Sequence, residues 1–199
     1  MLDFQNISIQ RKGKKVLDDF SLKAPDGVIL ALLGEDKEGK STLLKLMMGI
    51  HTPDRGKIRF HPKTDVAYYA QELEQLDLQK TVLENVSTQG CPVKQLRSVL
   101  SNFLFFEDDI YKKAEVLSPG EKARIALCKI LLQKANFLIL DEPTNHLDPE
   151  TQEVIGRNFR LFEGTILVVS HNMRFVEQIG INRVLMLPSG RVDDYEGGE

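Results

Sequence analysis

The sequence predicts an α/β fold: a mainly parallel sheet flanked by helices, with an N-terminal antiparallel β subdomain and a small helical lobe. Three observations predict it. The apolar runs Val28–Leu33 and Phe137–Leu140 are strand-length and unbroken, as strands covered on both faces are. In the final third, such runs alternate with helical patterns, the mark of a parallel sheet with helices packed on it. Between Gln71 and Val116 the pattern turns helical without intervening strands.

In chain order, Leu2–Ile9 alternates apolar and polar residues, as a half-buried strand does. The basic turn Arg11-Lys12-Gly13-Lys14-Lys15 leads into a second strand over Val16–Lys23. Pro25-Asp26-Gly27 is a turn signal before the strand Val28–Leu33, and Lys40–Ile50 reads as a helix. Pro53-Asp54-Arg55-Gly56 turns the chain into short strands at Lys57–Phe60 and Val66–Tyr69. Helices are expected over Thr81–Ser87 and Val93–Phe106, with loops at Gln89–Pro92 and Glu107–Asp109. Helix Pro119–Gln133, strand Phe137–Leu140 and helix Pro149–Arg160 follow. Strand Thr165–Val169, helix Met173–Ile179 and strand Val184–Leu187 complete the alternation, and Tyr195–Glu199 reads as a frayed tail. The expected division is one domain over 1–199. Its core with the β subdomain is 1–70 and 117–199, and the helical lobe is 71–116.

Composition bounds the function. The chain has 199 residues, 42% hydrophobic and 28% charged, as in an ordinary globular domain. A net charge of −3 supplies no global positive field for nucleic acid or membrane. No apolar run approaches the roughly 20 residues of a membrane span, and Met1-Leu2-Asp3 does not open a signal peptide. Cys91 and Cys128 read as free thiols of a reducing cytosol, so a cytoplasmic location is expected.

Four motifs carry chemistry. Gly34-Glu35-Asp36-Lys37-Glu38-Gly39-Lys40-Ser41-Thr42 fits G-x-x-x-x-G-K-[ST], between a buried strand and a helix. Glycines let the backbone curl so that N–H groups converge on phosphate oxygens, and the helix N-terminus faces the same anion. Lys40 would reach the β and γ phosphates, and the Ser41 hydroxyl would ligate Mg²⁺. The carboxylates of Glu35, Asp36 and Glu38 are expected to point outward, with Lys37 partly compensating them. Phe137–Leu140 ends in Asp141-Glu142, at the strand end where ligands of open α/β sheets sit. Asp141 would hold Mg²⁺, and Glu142 would orient or deprotonate the attacking water. Leu117-Ser118-Pro119-Gly120-Glu121 reads as a capping box, with Ser118 as N-cap, Pro119 first in the helix and Glu121 closing the box. The same cap leaves N–H groups that can meet a second anion. His171, just past the strand Thr165–Val169, can reach a γ-phosphate.

The set resembles the ATP-binding cassette (ABC) ATPases, which are P-loop NTPases, over nearly the whole chain and in the family's order. Gly34–Thr42 matches Walker A. Gln71 matches the Q-loop glutamine, which contacts Mg²⁺ and senses the γ-phosphate. Leu117–Glu121 resembles the signature L-S-G-G-Q, Phe137–Glu142 Walker B with its catalytic glutamate, Asn145–Asp148 the D-loop, and His171 the switch histidine. The resemblance implies ATP hydrolysis with Mg²⁺, two cassettes facing head to tail, and Ser118, Gly120 and Glu121 acting on the partner's ATP. One chain then supplies half of each site, and isolated turnover is expected to be weak.

Asp141-Glu142-Pro143-Thr144-Asn145-His146-Leu147-Asp148 is most similar to the ABC-F subfamily, soluble twin cassettes that act on the ribosome. The short lobe resembles their second, C-terminal cassette. The alternative implied by the wider family is the ATP-binding subunit of a membrane transporter. Three departures stand out. Pro119 replaces a signature glycine, Glu121 replaces the signature glutamine, and Arg11 falls where an aromatic residue stacks on adenine. A guanidinium plane can also stack on a base. The basic turn around Arg11 could instead be a solvated hairpin tip or touch RNA phosphates.

Overall fold

The computed structural model describes residues 2–11, 13–33, 39–70, 76–88, 91–187 and 191–196. The expectations for Gly34, Glu35, Asp36, Lys37, Glu38 and Gln71 lie outside the described residues, as do Gly197–Glu199. Strand β1 (Leu2–Arg11) pairs antiparallel with β2 (Lys14–Ala24). Then come β3 (Ile29–Leu33), α1 (Lys40–Met47), β4 (Arg55–Phe60) and β5 (Val66–Tyr69). The lobe holds α2 (Val82–Val86) and α3 (Val93–Asn102). After α4 (Pro119–Leu132) the chain alternates through β6 (Phe137–Asp141), α5 (Pro149–Arg160), β7 (Thr165–Val169), α6 (Met173–Gln178), β8 (Arg183–Met186) and β9 (Arg191–Asp194).

Two sheets form. One is antiparallel, in the order β2-β1-β4; the other runs β5-β6-β7-β3-β8-β9. Every pairing in the second is parallel except β8–β9. The unbroken apolar strands feed two cores in alternation. Ala31, Leu138, Leu140, Ile166 and Val168 face a cluster shared with the lobe, α4, α5 and α6. Leu30, Leu32, Ile139, Leu167 and Val169 face a cluster shared with α1 and the antiparallel sheet. Alternate side chains of a strand point to opposite faces, so a strand buried on both sides must be apolar throughout. Helix α1 lies between the two sheets because Leu43, Leu44, Leu46 and Met47 give it an apolar stripe.

Four expectations need correction. The second lobe helix is shorter than expected: α3 stops at Asn102 rather than Phe106, because Leu104 takes a left-handed φ of 62° that a helix cannot continue through. Phe103 and Phe105 then turn inward while Phe106 stays exposed. Glu107–Asp109 is not an open loop but part of a 3-10 turn, Glu107–Tyr111. Helix α1 ends at Met47, before Gly49 at φ 68°. Tyr195 is tied down rather than frayed: its N–H donates to the Asn182 carbonyl at 3.0 Å and its hydroxyl to Glu177 at 2.5 Å. Among the described residues, no helix is long and apolar enough to cross a membrane.

Candidate nucleotide site

The residues singled out at the strand ends converge. β6 and β3 flank β7 and run parallel to it, so their C-terminal ends open at the same end of the sheet. There a cleft of about 810 Å³ is lined by Lys40, Ser41, Asp141, Glu142, Asn145 and His171, among others. Gly39 starts α1 at φ 96°, a conformation that suits glycine. A Cβ there would also sit 2.9 Å from Val16 Cγ1, so the backbone passes tightly under the β1–β2 hairpin. Lys40 and Ser41 thus enter from the first turn of a helix whose N-terminus faces the cleft.

Asp141 is the last residue of β6, and Tyr68 on the neighbouring β5 donates its hydroxyl to Asp141 Oδ2 at 3.2 Å. Burial pushes the Asp141 carboxyl up, against the pull of Tyr68, Lys40 and Lys45. The same burial, helped by the Asp141 charge, lifts the Tyr68 hydroxyl to about 12, so it remains a donor.

Glu142 takes a left-handed φ of 47° while its N–H still reaches the Val169 carbonyl at 2.8 Å. The β6–β7 pairing is thereby extended by one bond as the chain turns away. A non-glycine residue in this region carries a conformational cost of about 1 kcal/mol or more, and such residues cluster at functional sites. Burial pushes the Glu142 carboxyl up, and Asp141 adds to this, while His171, its N–H and Lys40 pull it down. His171 Nε2 lies 3.4 Å from Glu142 Oε1 and 3.4 Å from Lys40 Nζ. Both contacts are longer than a good hydrogen bond, and they make opposite demands on one ring nitrogen. Three groups that could handle a phosphate and a water are therefore gathered around one point.

A second cleft of about 520 Å³ is lined by Ser118, Gly120, Glu121, Arg124, His146 and Asp148, among others. The capping box forms as the sequence predicts. Ser118 donates its N–H at 2.8 Å and its hydroxyl at 2.7 Å to Glu121 Oε2, and its oxygen accepts the Glu121 N–H at 3.3 Å. Partial burial raises the Glu121 carboxyl, but these bonds with Ser118 and the nearby Arg124 and Lys112 outweigh it and hold the group below its usual range. The negative charge that departs from the signature glutamine is thus neutralised locally. Arg124 reaches Glu121 Oε1 at 3.9 Å, donates to the Leu104 carbonyl at 3.2 Å and lies over the Phe105 ring at 4.8 Å. Gly120 touches the Asp148 loop: a Cβ there would stand 2.7 Å from the His146 carbonyl oxygen. Asp148 caps α5, accepting the Thr151 N–H at 2.9 Å and its hydroxyl at 2.6 Å.

Arg11 ends β1 opposite Lys14 and is not among the residues lining the first cleft. Its Nε is buried without a hydrogen-bond partner. Thr42 is half-buried on α1, one residue beyond Ser41. Sequence reasoning missed Tyr68, Thr144 and Asn172. Tyr68 gave no signal beyond its place in a strand, whereas Asn172 adjoins His171 and could have been found as the N-cap of α6.

The family model described as ABC transporter matches residues 17–145. The chain belongs to the ABC transporter family. It is 42% identical over 200 residues to "Putative ATP-binding protein YdiF" of Bacillus subtilis (strain 168), covering 99% of this chain and 31% of that protein. It is 36% identical over 205 residues to "ATP-binding protein Uup" of Escherichia coli (strain K12), covering 100% and 32%. It is 35% identical over 201 residues to "ABC transporter F family member 5" of Arabidopsis thaliana, covering 99% and 29%. The chain therefore spans about a third of the length of these relatives. They make it an ABC ATPase cassette close to ABC-F. Its fold is that of the solved ATP-binding cassette MJ0796, a dimer in a post-hydrolysis state bound to ADP and Pi. The TM-score is 0.81 at 20% identity, over 100% of both chains.

Proposed function

We propose that this ABC cassette binds Mg-ATP in the first cleft and hydrolyses it as one half of a head-to-tail pair. The observation that carries the reading is the convergence of Lys40, Ser41, Asp141, Glu142 and His171 on one cleft. Lys40 would hold the β and γ phosphates together with the loop Gly34–Thr42. Glu142, a carboxyl made more basic by burial, would accept the proton of the attacking water. His171 would meet the γ-phosphate, and Gln71, by the family resemblance, would sense it. The guanidinium of Arg11 would lie on the adenine side.

The donor set fits Mg²⁺. Ser41 supplies a hydroxyl and Asp141 a half-buried carboxylate, and a hard cation prefers oxygen. Burial alone penalises the Asp141 charge, a penalty a cation beside it would relieve. By the family resemblance, Gln71 would join Ser41 and Asp141 in holding the ion. Held by Ser41 and Asp141, Mg²⁺ would supply positive charge to offset the negative charge that develops on phosphoryl transfer.

In this reading the lobe 71–116 and the core 1–70 with 117–199 act as one ABC domain. The second cleft, with Ser118, Gly120 and Glu121, would meet the partner cassette's ATP across the Asp148 loop. The relatives' ABC-F names and the run Asn145–Asp148 support a place in a longer cytoplasmic protein that acts on the ribosome, and the short lobe suggests its C-terminal cassette. Lys40→Ala is expected to abolish ATP binding by calorimetry, and Glu142→Gln to keep binding and block phosphate release. Unchanged turnover in both variants overturns the site assignments. Nucleotide-dependent co-sedimentation of the full-length parent with ribosomes, carrying Glu142→Gln, tests the wider role; no such pelleting refutes it.

A further inference from the structure

One polar side chain joins the two clefts, and no motif contains it. Gln152 lies in the first turns of α5 and is half-buried. Its Nε2 donates to the Leu147 carbonyl at 2.8 Å, and its Oε1 accepts from Asn172 Nδ2 at 2.6 Å. Asn172 is fixed in turn: its Oδ1 accepts the Phe175 N–H at 3.1 Å, and its own N–H donates to Ser170 Oγ at 3.1 Å.

The orientations of both amides follow from these bonds. The Phe175 N–H can only donate, so Asn172 must present its oxygen there and its NH₂ to Gln152. Gln152 must then present its oxygen to Asn172 and its NH₂ to the Leu147 carbonyl. Neither amide can flip without setting oxygen against oxygen. Gln152 is thus a two-ended strut between the residue before Asp148 and the residue after His171. At one end, the neighbouring His146 carbonyl lies against Gly120 at the start of α4. At the other, the His171 ring stands between Lys40 and Glu142.

We propose that Gln152 is a positioning residue that couples the Asp148 loop to the His171 loop, so that docking of a second cassette is felt at the γ-phosphate. The inference rests on the head-to-tail pairing proposed above. A shift of the Asp148 loop by partner contact moves the Leu147 carbonyl. The strut passes that shift to Asn172 and so to the backbone of His171.

The test uses the chain with Gln152→Leu, Gln152→Glu and His171→Ala, alone and combined. Leucine removes both bonds. Glutamate keeps an acceptor for Asn172 but opposes the Leu147 carbonyl with negative charge. Turnover is measured against protein concentration, with ATP affinity by calorimetry and thermal midpoints alongside. Wild-type turnover per chain is expected to rise with protein concentration as cassettes pair. Both Gln152 variants are expected to lower kcat about tenfold, in the range of ordinary site–site coupling. KM and ATP affinity should hold, because Lys40, Ser41 and Asp141 are untouched. In the His171→Ala background the Gln152 changes should cost nothing further. Concentration-dependent turnover with equal losses in both backgrounds, with kcat unchanged, or with a loss that follows the melting temperature overturns the strut alone. Turnover independent of concentration in the wild type overturns the pairing and the strut together.

Discussion

The contact between Gly120 and the Asp148 loop can be tested with a single methyl group. In Gly120→Ala the new Cβ would meet the His146 carbonyl oxygen at 2.7 Å, a distance real Cβ atoms essentially never show. To reach ordinary contact at 3.4 Å, the helix start and the loop must part by roughly 0.7 Å. Neither side gives easily. Gly120 stands in the first turn of α4, held by the Ser118–Glu121 box. The loop is held by Asp148 on Thr151 and by Gln152 on Leu147. Overpacking of this kind costs about 1–3 kcal/mol. Alanine returns about 1 kcal/mol in helix propensity. The net is a destabilisation of about 0–2 kcal/mol, or a fall of up to about 8 °C at about 2–4 °C per kcal/mol for a chain of this size. Turnover should fall with it, since the displaced residues face the second cassette in the proposed pair, while ATP affinity should not change. Differential scanning calorimetry and a phosphate-release assay read both quantities. A variant that melts above the wild type with intact turnover would show that the helix gain is unopposed, and the close approach would be refuted.

Other expectations follow from single sites. Asn85 is buried and donates to the Asp77 and Thr81 carbonyls at 2.9 and 3.0 Å while accepting the Asp77 N–H at 2.9 Å. Asn85→Leu strands these groups and should cost about 2–4 kcal/mol in denaturant titration. Glu121→Gln should flatten the acid limb of stability. The wild-type carboxyl sits below its ordinary 4.5, so its contribution is present above that value and is lost as pH falls below it. Melting at neutral pH and in acid, compared between the two proteins, reads the difference. Burial lifts the Cys128 thiol to about 12, so Ellman's reagent should leave it unreacted in the native protein and titrate it only on unfolding. Asp148→Ala removes the cap of α5 and should cost about 0.5–2 kcal/mol in the same titration.

Where apolar periodicity was strong, the sequence located elements to the residue: β5, α5 and β7 match their expected spans. The failures share a physical cause. β9 was missed because Arg191-Val192-Asp193-Asp194 carries one apolar residue. It lies at the sheet's edge beside β8, where Arg183 faces Asp194 at 3.2 Å in place of a packed pair. α3 ran long because Phe103, Phe105 and Phe106 look like a helix face, yet Leu104 turns left-handed and sends the aromatics in different directions. Backbone conformation at one residue overrides the pattern there, and no composition rule announces it.

The site divides along the same line. Side chains fixed by a motif's spacing, such as Lys40, Asp141, Glu142 and His171, were legible because a strand end and a helix start determine where they project. Tyr68 and Gln152 were not, because their importance lies in a partner beyond their own element: Asp141 for Tyr68, Asn172 and the Leu147 carbonyl for Gln152. His171 lies 3.4 Å from Glu142 and from Lys40, and the struts behind the motif residues make bonds of 2.6 to 3.2 Å. That ordering suits a site that must close on a phosphate. The bonds one residue back set where the reacting groups stand. Loss of a strut is therefore expected to spare nucleotide affinity and slow the chemical step, whereas loss of Lys40 removes binding itself.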